Sequence, residues 1–366
     1  MRKFINPFAE KAPIGPLFSS PAIKRYEKNP VLTHNDVPYP ADLAFNAGCV
    51  KFNGRYIMAF RYDVFNERNR KKGLADTGTG LAESYDGLHW SCHEKPANFY
   101  YHGEKISWVH DTRLCVLENE LYISFCFNTV YGPRPGIAKW IKDDDFEVIC
   151  LAPPAQRNMI LFENKINGKY YRLERPYPGY DKMSIWLSSS EDLIHWGETE
   201  LLLGVEDVPF ATLKIGGASS PILTEKGLLL FFHAVDCDPS REIEYEFPPD
   251  KWSSRYTCGA VLLDKDDPYK VIAMTPNPIL VPEMSYETGN TKIFWRENVI
   301  FPCGAIVEND EKIRLYYGAG DYSTCMAEIA LEDLWKELKP YTRKSPRASI
   351  SPGDLKNGYY GWENSK

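Results

Sequence analysis

No stretch of this chain runs to 18 uninterrupted apolar residues, so none reads as a membrane-spanning helix. The opening residues, Met1-Arg2-Lys3-Phe4-Ile5-Asn6-Pro7, lack the apolar block of a secretory leader, and a cytoplasmic location is expected. Positive charge is in deficit: 43 Lys and Arg face 50 Asp and Glu, for a formal net charge of −7. That balance argues against a nucleic-acid partner. The nine cysteines are odd in number, widely spaced and without a CxxC pair. Neither a disulfide framework nor a clustered Cys/His zinc set is expected, and no metal or cofactor is called for. Runs such as Phe125-Cys126-Phe127 mark the cysteines as small buried hydrophobes in a reducing compartment. Helical periodicity is almost missing as well, confined to Ala330-Leu331-Glu332-Asp333-Leu334-Trp335-Lys336-Glu337-Leu338.

What is abundant is aromatic and turn-forming. Phe, Trp and Tyr make up 14% of the 366 residues, with 23 Tyr and 9 Trp, beside 25 Gly and 27 Pro. This composition suits a strand-rich fold, and aromatic faces suit sugars or bases. One hairpin recurs in five copies. An apolar strand meets a polar turn, and a Tyr-rich alternating strand follows. The turns are Asn53-Gly54, Glu118-Asn119-Glu120, Asn167-Gly168, Glu225-Lys226-Gly227 and Glu308-Asn309-Asp310-Glu311. Asn-Gly between alternating apolar runs is the strongest short-range hairpin signal. A second hairpin tends to follow, through acidic turns at Tyr85-Asp86-Gly87, Asp143-Asp144-Asp145, Glu191-Asp192 and Asp264-Lys265-Asp266-Asp267. Four strands repeating about every 50 to 80 residues define propeller blades. An all-β, five-bladed β-propeller is expected, in preference to an irregular sandwich. It is read as a single domain over residues 1–366, with a core of about 29–338 and short terminal arms at 1–28 and 339–366. The echo between Asn29-Pro30-Val31-Leu32 and Asn277-Pro278-Ile279-Leu280 suggests that an N-terminal strand closes the ring.

A propeller binds ligands where its inner strands converge on the axis, so polar residues flanking each first hairpin are the candidates. They are Asn46 and Arg61-Tyr62-Asp63; His110-Asp111-Thr112-Arg113; Gln156-Arg157-Asn158 and Glu174-Arg175-Pro176; Lys214 and His233; and Asn298 and Asp321. Arg157, Arg175, Lys214 and His233 at one mouth would form an anion site in an acidic protein. Asp111 reads equally as a proton donor or as the partner of Arg113. A glycosidase needs a second carboxylate, for which Glu174 and Asp321 are candidates. Phosphate attacking the anomeric carbon would need no such base.

These residues fall in motifs that resemble glycoside hydrolase family 130, the inverting β-mannoside phosphorylases. The motifs, in order, are Phe45-Asn46-Ala47-Gly48, Asp111-Thr112-Arg113, Gln156-Arg157-Asn158-Met159-Ile160-Leu161-Phe162, Glu174-Arg175-Pro176, Pro221-Ile222-Leu223-Thr224, Phe232-His233-Ala234-Val235, Asn298-Val299-Ile300-Phe301-Pro302 and Tyr316-Tyr317-Gly318-Ala319-Gly320-Asp321. The resemblance implies Asp111 as the catalytic acid, passing its proton through the mannosyl 3-hydroxyl. It implies Arg157, Asn158, Arg175, Lys214 and His233 as the phosphate pocket, and Asn46, Arg61 and Asp321 as holders of the mannosyl unit. Arg113 and Tyr177 complete the expected substrate contacts. Inorganic phosphate is then a co-substrate and an oligosaccharide the partner, either 4-O-β-mannosyl-glucose or a β-manno-oligosaccharide, giving α-mannose 1-phosphate. Assembly into a homo-oligomer through the arms is left open. Hydrolases of the family lack the basic pocket, so its retention favours phosphorolysis. The rivals are an inverting β-mannosidase-type hydrolase, a glycosidase using Asp63, Asp111 and Glu174, and a non-catalytic carbohydrate-binding propeller. Tyr62, Tyr101, Trp108, Tyr131, Tyr177 and Trp295 are candidates to stack on the acceptor sugar. His110 stands where relatives often carry Tyr, and the Gly216-Gly217-Ala218-Ser219-Ser220 loop also departs from them, so acceptor identity stays open.

Overall fold

The computed structural model describes residues 14–66, 73–177, 183–237, 254–289, 296–309 and 311–344. They form five sheets around an axis, each with its first strand innermost. Blade one is Leu43–Phe52, Arg55–Phe65, Leu74–Ser84 and Ser91–Cys92. Blade two is Val109–Leu117, Glu120–Thr129, Gly132–Lys142 and Asp145–Leu151, extended by the hairpin Asn98–Tyr101 and Glu104–Ile106. Blade three is Gln156–Leu161, Tyr170–Pro176, Ile185–Ser190 and Trp196–Leu203. Blade four is Lys214–Gly217, Gly227–Cys237, Ser254–Leu263 and Val271–Met274, with Ile222–Thr224 and Lys339–Pro340 added. Blade five is Ile300–Glu308, Lys312–Ala319 and Ser323–Ala330, with Lys24–Arg25 as its outer strand. The chain is a five-bladed β-propeller.

Both faces of a blade are covered, which is why Gly227–Cys237 is buried along its whole length and reads as a continuous apolar run. The core is divided among the seams between blades. Val50 and Leu81 meet Leu114 and Phe125. Cys115 and Ile137 meet Met159 and Leu161. Leu173 and Leu187 meet Phe232 and Val261. Phe231 and Cys258 meet Leu315 and Tyr317, and Met58 and Phe60 meet Ile306 and Tyr316. Among the described residues every blade therefore packs on two neighbours.

The second hairpins turn as expected, and two of them share one device. Ser84 Oγ accepts from the amides of Asp86 and Gly87, and Asp86 accepts from those of Leu88 and His89. Ser190 and Asp192 repeat this with Asp192, Leu193, Ile194 and His195. Such side-chain bonds to neighbouring amides fix the turn at the price of no ladder bond. The predicted helix is present as Leu331–Glu337. Closure differs in its residues from the expectation. The pairing strand is Lys24–Arg25, with Lys24 opposite Glu328. Leu32 makes only an isolated bridge to Thr324, as Leu280 does to Cys258 in blade four. The sequence echo thus marks one position repeated beside the third strands of neighbouring blades. In blade three the inner strand is Gln156–Leu161, and Ile166 contributes a single bridge to Lys169. At the C-terminal side, Arg343 donates to the carbonyls of Leu201 and Leu202, tying residues past blade four onto blade three.

Candidate active site

The inner strands of blades one, two and three break register at equivalent places: between Phe45 and Gly48, His110 and Arg113, and Arg157 and Ile160. At each break one residue takes a left-handed backbone, with φ of 54° at Asn46, 52° at Asp111 and 55° at Asn158. Asn and Asp tolerate that conformation best among residues with a side chain, and a bulge re-aims the side chain it carries. All three line one cavity of about 330 Å³ on the propeller axis. Asn46 lies so close to blade five that a Cβ on Gly318 would clash with its Oδ1.

The cavity wall also carries Arg61, Arg157, Arg175, Tyr177, Lys214 and Asp321, so most of the anticipated residues converge. Asp111 is central. Its Oδ1 accepts from Asn46 Nδ2 at 3.3 Å and lies 3.5 Å from Arg61 Nη1, while its Oδ2 is 3.8 Å from Arg157 Nη1. Burial alone would raise its pKa, but Arg61, His110, Arg157 and Arg113 outweigh it and hold the carboxyl well below the usual range. His110 is itself pushed down to about 4 by burial, and its Nδ1 is 2.8 Å from the Trp108 carbonyl. At neutral pH it is uncharged, so the working counter-charges of Asp111 are the guanidinium groups.

The cations fall into two sets. Arg61 grips Asp63 through two bonds of 2.8 and 2.9 Å, and Arg296 pairs with Asp321 at 3.5 Å. Burial nevertheless raises the Asp321 pKa, against Arg296 and Arg61. Arg175 and Lys214 have no carboxylate partner among the described residues. Arg175 Nη1 donates to His233 Nε2 at 3.0 Å, and its Nη2 lies 3.5 Å from the Tyr177 hydroxyl. The Lys214 ammonium stands 5.0 Å from the centre of the Tyr256 ring. Burial pushes the Tyr256 phenol up, but Lys214 and then Arg296 bring it below its ordinary value. Arg157 reaches Asn128 Oδ1 at 3.4 Å. One side of the cavity is thus charge-balanced, and the other holds excess positive charge.

Of the residues to which the family resemblance gives a role, two are not on the wall, Arg113 and His233, and the flanking candidates Gln156 and Asn298 do not line it either. Arg113 is 2% exposed and serves as a strut below the cavity. Its Nε donates to the Ala218 carbonyl at 2.5 Å and its Nη1 to Thr112, over the Phe301 ring. This joins blade two to blade four across the axis. His233 is 0% exposed and lies behind Arg175 and Asn158.

The rival trio of carboxylates does not assemble. Asp63 is spent on Arg61 and on the Thr77 hydroxyl. Glu174 is spent on Arg172 and Ser188. Only Asp111 and Asp321 present carboxylates to the cavity among the described residues. Among the aromatics, Tyr177 lines the cavity, and Tyr62 is core, bonded to Asp76. Tyr101 packs in the seam of blades one and two, Trp108 and Tyr131 are exposed, and Trp295 lies outside the described residues. Asn128, Tyr256 and Arg296 were missed. Asn128 is the last residue but one of the second strand of blade two, where inspection of residues at the end of each first hairpin would have found it. Tyr256 sits on a third strand, outside that search.

Comparison with known proteins agrees with this geometry. Residues 8–339 match the family model of glycoside hydrolase family 130, described as beta-1,4-mannooligosaccharide phosphorylase. The chain is 26% identical to the beta-1,2-mannobiose phosphorylase of Listeria innocua, over 87% of this chain and 98% of that protein. It is 28% identical to the beta-1,4-mannooligosaccharide phosphorylase of Ruminococcus albus, over 87% and 92%. The solved Listeria innocua structure with bound beta-1,2-mannobiose superposes with a TM-score of 0.72, covering 86% of this chain and 98% of that one. The chain belongs to glycoside hydrolase family 130, the mannoside phosphorylases.

Proposed function

We propose that this enzyme cleaves a β-mannoside with inorganic phosphate, inverting the anomeric centre to give α-mannose 1-phosphate. The observation that carries the reading is the uncompensated basic side of the cavity: Arg175 and Lys214 have no carboxylate partner among the described residues, and Arg157 stands beside them. The Nε atoms of Arg157 and Arg175 are also buried without an acceptor among the described residues. Buried cations without counter-ions are costly, and a phosphate dianion meets that cost with charge-assisted, partly bidentate bonds. Asn46, Arg61 and Asp321 on the balanced side suit the hydroxyls of the mannosyl ring. No metal or other cofactor takes part.

Phosphate attacks from the basic side while Asp111 supplies the proton to the departing sugar oxygen, directly or through the mannosyl 3-hydroxyl. In the free site the guanidinium groups keep Asp111 ionised. An anion drawn to Arg157 cancels part of that field and raises the carboxyl toward the protonated form an acid needs. Binding of the nucleophile thereby readies the acid. Positioning and charge neutralisation supply most of the rate.

The relatives act on both β-1,2 and β-1,4 linkages. The test is to incubate the enzyme with β-1,2-mannobiose, β-1,4-mannobiose and mannosylglucose, with and without phosphate, and to assay mannose 1-phosphate. Phosphate-dependent release is expected on at least one of them. Sugar release that ignores phosphate would point to hydrolysis and overturn the reading.

A further inference from the structure

The chemistry of the axis accounts for the polar residues of the cavity but not for the aromatic ones at its edge. Asn46, Asp111 and Asn158 stand near the starts of their strands, so the cavity lies at the end of the ring where first strands begin and second strands finish. Asn128 lines it and is also exposed, which makes Asn128 a residue of the mouth. At this end blade two exposes three large apolar side chains, Trp108 at 40%, Val130 at 94% and Tyr131 at 81%. Tyr85, Ile141, Ile194 and Leu223 are exposed as well, but they lie where third strands end or second strands begin, at the far end of the ring. The two aromatics are held out by local bonds. Val130 and Tyr131 form the tip of the turn between Glu120–Thr129 and Gly132–Lys142. Thr129 Oγ1 donates to the Gly132 carbonyl at 2.7 Å and accepts from the Tyr131 amide at 3.1 Å. Trp108 has a φ of 61°, a conformation that bulky residues rarely adopt and that persists only where the surroundings hold it. The His110 imidazole on the cavity wall bonds the Trp108 carbonyl at 2.8 Å. Val109 pairs with Phe127, so Trp108 and Asn128 leave the strand pair at the same end. From Asn128 the chain reaches Tyr131 within about 10 Å at the usual strand rise.

We propose that Trp108 and Tyr131 form a lip that binds the sugar units beyond the leaving sugar, so that β-manno-oligosaccharides of three or more units are better substrates than the disaccharide. The proposal rests on the phosphorolysis reading and names the size of substrate that this site takes. The cavity, at about 330 Å³, is near the small end of the range for ligand sites. It has to hold the mannosyl ring, the phosphate and part of the leaving sugar, so a further unit overhangs the mouth. An aromatic ring with a polar tip suits that unit, since its face packs on sugar C–H groups while Tyr O–H and Trp N–H bond hydroxyls. Neither Trp108 nor Tyr131 lines the cavity, so the lip acts on chain length and leaves the reacting atoms alone. A second copy of this chain is the other occupant that exposed aromatics could take. Continuity with the cavity wall, through Asn128 on the same hairpin and His110 on the same strand, favours the substrate.

The test compares linear β-1,2- and β-1,4-mannosides of two, three and four units at saturating phosphate, reading mannose 1-phosphate. In the series that reacts, kcat/KM is expected to rise about five- to tenfold from two units to three, the worth of an aromatic contact. The double variant Trp108→Asn with Tyr131→Ala should lose that rise, while kcat/KM for the disaccharide and the phosphate KM stay within about twofold of wild type. Asn is chosen at position 108 because it tolerates the left-handed backbone. A wild-type rate indifferent to chain length would overturn the proposal. So would a double variant that keeps the rise, or one that loses as much on the disaccharide as on the trisaccharide. Calorimetry with the same mannosides in the absence of phosphate repeats the comparison as affinity and needs no turnover. Sedimentation velocity tests the other occupant. An unchanged mass in the double variant is expected, and dissociation into a smaller species would put a second chain on the lip and overturn the assignment. Sugar release that ignores phosphate but keeps its dependence on chain length would defeat the phosphorolysis reading alone.

Discussion

Asp111 and Arg113 stand two residues apart in one motif and do opposite work. The bulge at Asp111 turns its carboxylate into the cavity, while Arg113 points below it and bonds carbonyls of blades two and four. Substitution separates the two roles. Asp111→Asn keeps the shape and removes the proton, so turnover should fall by roughly 10²- to 10⁴-fold while the melting temperature stays close to wild type. Assay of mannose 1-phosphate beside a thermal melt checks this, and substantial retained turnover would exclude Asp111 as the acid. Arg113→Met leaves two buried carbonyls with weaker partners and should destabilise by about 2 to 4 kcal/mol, read from urea unfolding. Stability unchanged with activity lost would instead put Arg113 on the substrate. Sequence alone identified the basic group because Arg157, Arg175 and Lys214 flank hairpins whose turns are plain. It did not separate wall from support at Arg113 and His233. A one-residue bulge exchanges the faces of a strand, and nothing in the composition of these strands marks where the bulge falls.

The strands reveal themselves in sequence wherever a turn is made by local chemistry. Asn53-Gly54 and the Ser-x-Asp turns bring their own hydrogen bonds, so they form wherever they are placed. The additions escape that logic. Lys24–Arg25 has two residues, too few for any period, and Asn98–Tyr101 joins blade two by parallel pairing with Asp145–Leu151, which no turn announces. The outer turns carry a testable titration. The Asp192 carboxyl is held well below its ordinary value, first by the His195 ring and then by the amides of His195 and Ile194. A group whose pKa is depressed on folding stabilises the fold above its unfolded pKa and loses that contribution as pH falls through the folded value. The melting temperature should therefore hold between pH 7 and 5 and decline below about pH 4. Asp192→Ala should lower the plateau slightly and make the acid decline shallower, seen in melts across pH. A decline as steep as wild type would assign the acid sensitivity to other carboxylates.

At the scale of the molecule, the acidic surface and the basic cavity are two consequences of one ring. The net charge of −7 is displayed on turns such as Asp143-Asp144-Asp145 at the rim, while the strands converging on the axis bring Arg157, Arg175 and Lys214 together from separate blades. The cavity exists only while the ring is closed, because its wall draws on all five sheets. Closure rests on Lys24–Arg25, and Arg25 is the bolt. It bonds Glu287 at 2.7 and 2.9 Å, Glu283 at 3.0 Å and the Val281 carbonyl at 2.7 Å, all of them on the segment between blades four and five. Glu287 is fully buried and also accepts from the Tyr317 hydroxyl in blade five. Arg25→Met would strand that carboxylate without its cation, which in buried pairs costs on the order of 3 kcal/mol. Since the seams of blade five pack on blades four and one, loss of the bolt loosens the whole ring rather than one edge. Calorimetry should show a single unfolding transition moved to lower temperature, with phosphate KM raised in step as the axis relaxes. Two separate transitions, or a melting temperature unchanged, would mean that the N-terminal strand decorates a ring already closed by its apolar seams.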